Sequence, residues 1–494
     1  MDEKSLLKRS TPSWPAAMIT ALAVVVHASL LLLPPINFEH SFADAAQYFL
    51  VGQPELLSEY FSVQANTVGM PFLAAQVSRV LPSVPLLQVL RIVVLLGLPL
   101  LALAIQRICA ALGRTDAHLV TAYVLLNPLV WIYAGRATAD FFPMALGVWA
   151  ISLLLQSPVS VRRAMFGGLV LGCAAVLKYH AAFLALVVAA YHLRGTPRTW
   201  PLRPAAAFLI ATAAPLLVYL TMAHAAFGFW LTPPEFQAKH QFTLGGFASN
   251  FVCYAGYLVL LAMPTLPILP TVARSLANHW RSVLLTLGAM AVVGYFGIVD
   301  NGEMNLGPAD RWVPSGLRTA IFAAVATGLI LPLWLRPREL GRFSTALWWA
   351  IVAILVVFSM TRPAQRYLLF VIPFLIALLP RQLFAQRMLA AVLTLFMMSN
   401  AFVEYNRACT GIAAADLMSK VVALNLADST DLGAINGHVG LYVNHIPPTR
   451  RDYVIVKGEA TNAVAVARAG WQRLPVTFSL IRTESVAAGA ASGP

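Results

Sequence analysis

The chain has 494 residues, of which 59% are hydrophobic and only 11% charged, and its mean hydropathy is +0.74. A soluble globular protein carries about a quarter charged residues, so that class is excluded and most of the chain belongs in lipid. The net charge of +14 does not point to nucleic acid, because Lys and Arg fall between apolar stretches and form no single patch.

At the N-terminus Lys4, Lys8 and Arg9 precede an apolar run, which ends at Pro34, Pro35 and Asn37 without a small-residue cleavage site; it reads as a retained first span. A span needs about 20 mostly apolar residues. The stretches 16–33, 84–105, 119–134, 141–155, 204–224, 251–272, 283–299, 319–335, 343–360, 367–379 and 388–403 are read as spans. The run 165–193 is interrupted by Lys178, Tyr179 and His180 and splits into two short helices, giving about thirteen spans in all. With the N-terminus cytoplasmic, one set of loops holds Arg107, Arg114, Arg162, Arg163, Arg194, Arg198, Arg203, Arg274, Arg281, Arg336, Arg338, Arg342, Arg381 and Arg387. The opposite set is sparser in basic residues, as expected for the outer side. An odd number of spans leaves the C-terminus outside.

Two segments exceed connectors. The first outer loop, 36–83, has about fifty residues, far above the usual helix connection, and such loops carry function or structure of their own. The tail 405–494 is polar, with β-rich runs at 440–443 and 452–456, turn residues Pro447 and Pro448, and a disordered Ala, Gly and Ser end. The expected architecture is therefore an all-α polytopic membrane domain, 1–404, followed by a small extracytoplasmic α/β domain, 405–494. Cys109, Cys173, Cys253 and Cys409 are far apart and suggest neither zinc nor a disulfide framework.

Cytoplasmic arginines are topology signals, but ionisable groups expected at the outer membrane face need another reason. There are four such places. Asp44, Gln47 and Tyr48 share one face if 38–48 is helical, where Asp44 alternatively complements a helix dipole. Arg136, Thr138 and Asp140 occupy a tight turn, where Asp140 alternatively caps the next helix. Lys178, Tyr179 and His180 form the tip of the broken hairpin, where a lysine otherwise snorkels. Arg362, Arg366 and Tyr367 precede a late span, and guanidinium forks there suit phosphate. Together these places supply carboxylates and cations.

In these residues the chain resembles the GT-C class of membrane glycosyltransferases, especially the bacterial aminoarabinose transferase and protein mannosyltransferase branch. The carrying features are Asp44 with Tyr48 opening the first loop, its close at Gly69-Met70-Pro71-Phe72-Leu73, and Asp140 after Gly135-Arg136. Gly168 to Gly172 with Leu177-Lys178 and Arg366-Tyr367-Leu368 through Pro373 complete the set. The resemblance implies inverting transfer of a sugar from a polyprenyl-phosphate donor to a hydroxyl of a glycan, lipid or protein acceptor, outside the bacterial inner membrane. It implies Asp44 as general base, Asp140 as a second acid orienting acceptor or metal, and Lys178, Arg362 and Arg366 around the lipid phosphate. Arg136, Tyr48, Tyr179, His180 and Tyr367 complete the substrate site. Asp44 is followed by Ala45 where the family often pairs acids, so a divalent metal, Mg or Mn on Asp44 and Asp140, is left open. A transporter or lipid flippase, or an oligosaccharide polymerase or ligase, is the competing expectation. A transporter requires ionisable groups near the bilayer midplane, where Arg91 stands nearly alone.

Overall fold

The computed structural model describes residues 14–35, 39–53, 57, 60–61, 67–155, 159–190, 202–231, 233–234, 244, 246–262, 280, 284, 288, 304, 312–326, 342–361, 364–379, 381, 386–426, 429–431, 452–457, 465–470 and 477–482. The helices in chain order are α1 (Trp14–Ser29), α2 (Glu39–Val51), α3 (Gly69–Val80), α4 (Leu86–Leu95), α5 (Gly97–Ala111), α6 (Ala117–Leu126), α7 (Pro128–Ala134), α8 (Phe141–Leu154) and α9 (Val161–Leu177). They continue as α10 (Ala185–Ala190), α11 (Leu202–Phe227), α12 (Phe247–Ala262), α13 (Ser315–Ala326), α14 (Arg342–Ser359), α15 (Ile372–Leu378) and α16 (Gln386–Ala423). Among the described residues two 3₁₀ helices, Tyr179–Leu184 and Gln365–Phe370, and four strands follow: β1 (Thr430–Asp431), β2 (Tyr453–Lys457), β3 (Ala465–Gly470) and β4 (Thr477–Arg482). The expected span 283–299, apart from residues 284 and 288, the strand run 440–443 and Arg362 lie outside the described residues.

Among the described residues, Leu86–Ala111 and Leu202–Phe227 are long and apolar enough to cross a membrane, and α6 with α7 makes a third span if the bent pair counts as one. Hydropathy predicts more, and breaks within apolar stretches account for part of the difference. The 66° bend between α6 and α7 shows why. Pro128 has no N–H to donate and forces the preceding residue out of the helical region, and Asn127 is extended at φ −55°, ψ 128°. The Asn127 side chain accepts the Leu129 N–H freed at the start of α7 at 3.2 Å and ties the bend to α12 by donating to the Leu261 carbonyl at 2.8 Å.

The chain divides into two compact units. The first comprises the described parts of Met1–Val24, Leu96–Tyr133 and Asp140–Met397, the second those of Val25–Leu95, Ala134–Ala139 and Met398–Pro494. In the first unit α9 lies hard against α11. A Cβ on Gly168 would stand 2.5 Å from the Phe208 carbonyl oxygen, and one on Gly172 2.5 Å from that of Thr212. Two glycines four residues apart thus make a seam where backbones meet, a device suited to helices in lipid. The Gly-rich run of the sequence is this seam. The expected break follows directly: α9 ends at Leu177, and Lys178 is extended at φ −157°, ψ 114°.

In the second unit the described residues of the first loop are packed together. Phe42 packs edge-on to Tyr60 at 5.7 Å, Phe49 of α2 to Phe72 of α3 at 5.5 Å, and the Tyr60 hydroxyl donates to the Thr67 carbonyl at 3.1 Å. The sheet has the order β1-β2-β4-β3, with β1 and β2 parallel and the remaining pairs antiparallel. Its inner face, Ile455, Phe478 and Leu480, packs with Ala413, Ala414, Leu417 and Val421 of α16. That spacing is one helical stripe. α16 runs without interruption through the 404/405 boundary expected from composition.

Candidate active site

The first unit gathers Asp140, Lys178, His180, Arg366 and Tyr367. Asp140 stands at the N-terminus of α8, yet its side chain makes no capping hydrogen bond. It pairs instead with Lys178, whose Nζ is 3.1 Å from Oδ1, and with Arg366, whose Nε is 3.7 Å away. The capping alternative is therefore set aside. So is snorkelling, because the Lys178 side chain is buried.

The break in α9 turns Lys178 inward and starts the 3₁₀ turn that carries His180. The His180 ring stacks on Tyr367 at 3.9 Å between centroids, and Lys178 Nζ and Arg366 Cζ lie 5.8 and 5.7 Å from the centre of the Tyr367 ring. A ring near two cations is attracted to both through its quadrupole. Tyr179 is not part of the group, since it meets Tyr219 of α11 edge-on at 6.1 Å.

Two α12 residues that sequence reasoning passed over fix the backbone leading to Arg366. Asn250 donates to the carbonyls of Ser359 and Thr361 at 3.1 and 2.9 Å, and the Tyr254 hydroxyl accepts the Ala364 N–H at 2.9 Å. Only their place in an apolar stretch marked them.

One carboxylate against two cations leaves surplus positive charge. The Arg366 side chain, 41% exposed although its Nε is buried beside Asp140, is the member open to a visitor. The arrangement is able to bind an anion and to stabilise negative charge developing on it. It is poorly suited to a metal. Among the described residues no three His, Cys, Asp or Glu side chains converge, and the cations beside Asp140 would repel another.

Asp44, Tyr48 and Arg136 belong to the second unit. Asp44 and Tyr48 are half-buried on α2, and the acid in the first turn of that helix is Glu39. The dipole-complementing role weighed for Asp44 therefore falls to Glu39. Arg136 lies within electrostatic reach of Glu404 and Arg407.

Glu39 is the centre of this unit's charge. Arg91 donates to its carboxylate from Nη2 and Nε at 3.0 and 3.2 Å, Arg407 from Nη2 at 3.4 and 3.5 Å, and the Ala137 N–H at 2.6 Å. Burial pushes the Glu39 carboxyl up, but Arg407 and Arg91 with the hydrogen bonds outweigh it and hold it below the usual carboxylate range. Arg91 had signalled this partner: a charge inside an apolar span calls for a counter-charge. Nothing in the spacing said which acid supplied it.

No family model and no curated protein matches the chain. Among solved structures it is similar to ArnT from Cupriavidus metallidurans bound to undecaprenyl phosphate, at 16% identity over 73% of this chain, with a TM-score of 0.43. It is also similar to ArnT from the same organism in the apo state, at 14% identity over 73% of this chain and 76% of that one, with a TM-score of 0.39. The chain spans 58% of the length of the first of these.

Proposed function

We propose that the chain is a membrane glycosyltransferase that moves a sugar from a polyprenyl-phosphate donor to an acceptor hydroxyl at the extracytoplasmic face. The observation that carries the reading is the cluster in which Lys178 and Arg366 meet around Asp140 with cationic charge in excess. These are groups for which the sequence motifs imply contact with a lipid phosphate.

In this reading the acceptor oxygen attacks the anomeric carbon from the side opposite the phosphate, and the bond from that carbon to the phosphate oxygen breaks with inversion. The bonding electrons leave on the polyprenyl phosphate, where Lys178 and Arg366 offset the growing charge. Asp44 takes the acceptor proton as general base. Asp140 holds the two cations in place, and Tyr367 with His180 walls the site.

The test is sugar transfer by the purified protein in lipid, comparing the unaltered chain with Asp44→Asn across a panel of polyprenyl-phosphate sugars, with and without a chelator. The expected result is a fall in kcat of at least about a hundredfold with donor binding retained, and no effect of the chelator. Undiminished turnover in Asp44→Asn removes the base assignment. Movement of intact lipid-linked sugar across the bilayer without transfer favours a flippase instead.

A further inference from the structure

We infer that Glu39 is a positioning residue: clamped by Arg91 and Arg407, it fixes the rotation and depth of α2 and thereby the place of Asp44. The inference rests on the reading of Asp44 as the base. It also makes α16, the helix that enters the small C-terminal domain, a working part of the site.

Glu39 is 0% exposed. Its carboxylate ties α2 to Arg91 on α4, to Arg407 on α16 and to the backbone of Ala137. Arg91 extends the clamp, donating from Nη1 to the carbonyls of Leu31 and Leu33 at 2.8 and 2.6 Å and from Nη2 to that of Pro34 at 3.3 Å. One node therefore joins both sides of the link between α1 and α2. Room is made for it by Gly135, where a Cβ would stand 2.9 Å from His27 Nδ1 and 3.0 Å from Arg407 Nη1.

Stability alone is a weak reason for such a node. Removing charges from water costs as much as their attraction returns, and apolar side chains of similar volume would hold a helix as well. What directional bonds add is one orientation. Asp44 follows Glu39 by five residues, about 7.5 Å along the axis and roughly 140° around it. It stands outside the node but turns with it. A displacement of about 1 Å at a reacting group costs about a hundredfold in rate.

The experiment places a nitroxide on α2, at Gln47→Cys in a chain whose exposed Cys173 is changed to Ser, the described Cys109, Cys253 and Cys409 being buried. Spectra are recorded in lipid for the otherwise unaltered chain, for Glu39→Gln and for Glu39→Asp. Unlabelled versions are assayed for transfer. The clamp predicts an added mobile component in Glu39→Gln, mostly reversed in Glu39→Asp, with kcat reduced about tenfold to a hundredfold and donor KM within about twofold. Identical spectra in all three chains overturn the inference, as does a rise in donor KM equal to the fall in kcat. Should Glu39→Gln not fold, Arg407→Lys, which keeps the charge and loses the fork, takes its place under the same criteria. A mobile spectrum in a chain whose unaltered parent transfers no sugar removes the transferase reading and leaves the clamp on α2 standing.

Discussion

The two charge clusters share a core and differ in access. At each core one carboxylate meets two cations: Asp140 with Lys178 and Arg366 in the first unit, Glu39 with Arg91 and Arg407 in the second, where Arg407 also pairs with Glu404 at 3.4 Å. Around Glu39 the side chains are 0 to 3% exposed and the carboxylate also receives a backbone N–H. Around Asp140 the second cation stands 3.7 Å off with 41% of its side chain exposed. Similar groups therefore serve two ends. A closed node holds chain segments together, and an open one keeps a cation for something that arrives.

Removing one arginine from each cluster gives the largest effects, on stability in one and on binding in the other. Arg407→Met takes a buried partner from both Glu39 and Glu404 and is expected to cost about 3 kcal/mol of stability, read as a fall in the unfolding midpoint in detergent. Arg366→Met is expected to cost no more than about 1 kcal/mol, because Lys178 still pairs with Asp140. It should nevertheless weaken binding of polyprenyl phosphate about tenfold or more, through loss of a charge-assisted contact to phosphate. Equal losses of stability in the two variants would erase the distinction between closed and open nodes.

Much of the open cluster was legible in the sequence, because its members interrupt strong patterns. Lys178-Tyr179-His180 breaks an apolar run too long for one span, and that break is what aims Lys178 at Asp140. Arg366 stands where the topology asks for no cation. The closed cluster was hardly legible. Glu39, Arg91 and Arg407 are remote along the chain, and their pairing is set by how helices pack, which no spacing records. The 404/405 boundary shows a related limit: composition changes there, yet α16 continues to Ala423, because Ala413, Ala414, Leu417 and Val421 make the same helix the floor of the sheet. A change of surroundings need not be a change of element.

A smaller effect sharpens the comparison at the glycine. Gly135→Ala introduces a methyl group 2.9 to 3.0 Å from the ends of the His27 and Arg407 side chains. Both neighbours have to shift, and the expected cost is about 1–2 kcal/mol of overpacking, measured as a lowered unfolding midpoint. Because the shift falls on Arg407, Gly135→Ala and Arg407→Met should be less than additive in the double variant. Full additivity would place the glycine outside the Glu39 node.

The smallest effect is one of pH, and its sign follows from the direction in which Glu39 is held. Its carboxyl lies below the ordinary value of 4.5 in the folded chain. The ion pairs therefore stabilise fully above that value, and their contribution is lost as pH falls through the lower, folded value. The difference in unfolding midpoint between the unaltered chain and Glu39→Gln should stay constant from pH 7 to 5 and shrink only below about 4.5. A difference that instead grows as pH falls through about 6 would mean that burial outweighs the two guanidiniums and lifts the carboxyl above its ordinary value, and hence that Arg407 or Arg91 does not reach the carboxylate in solution. The node would then be a buried acid with one partner, too loosely held to orient α2.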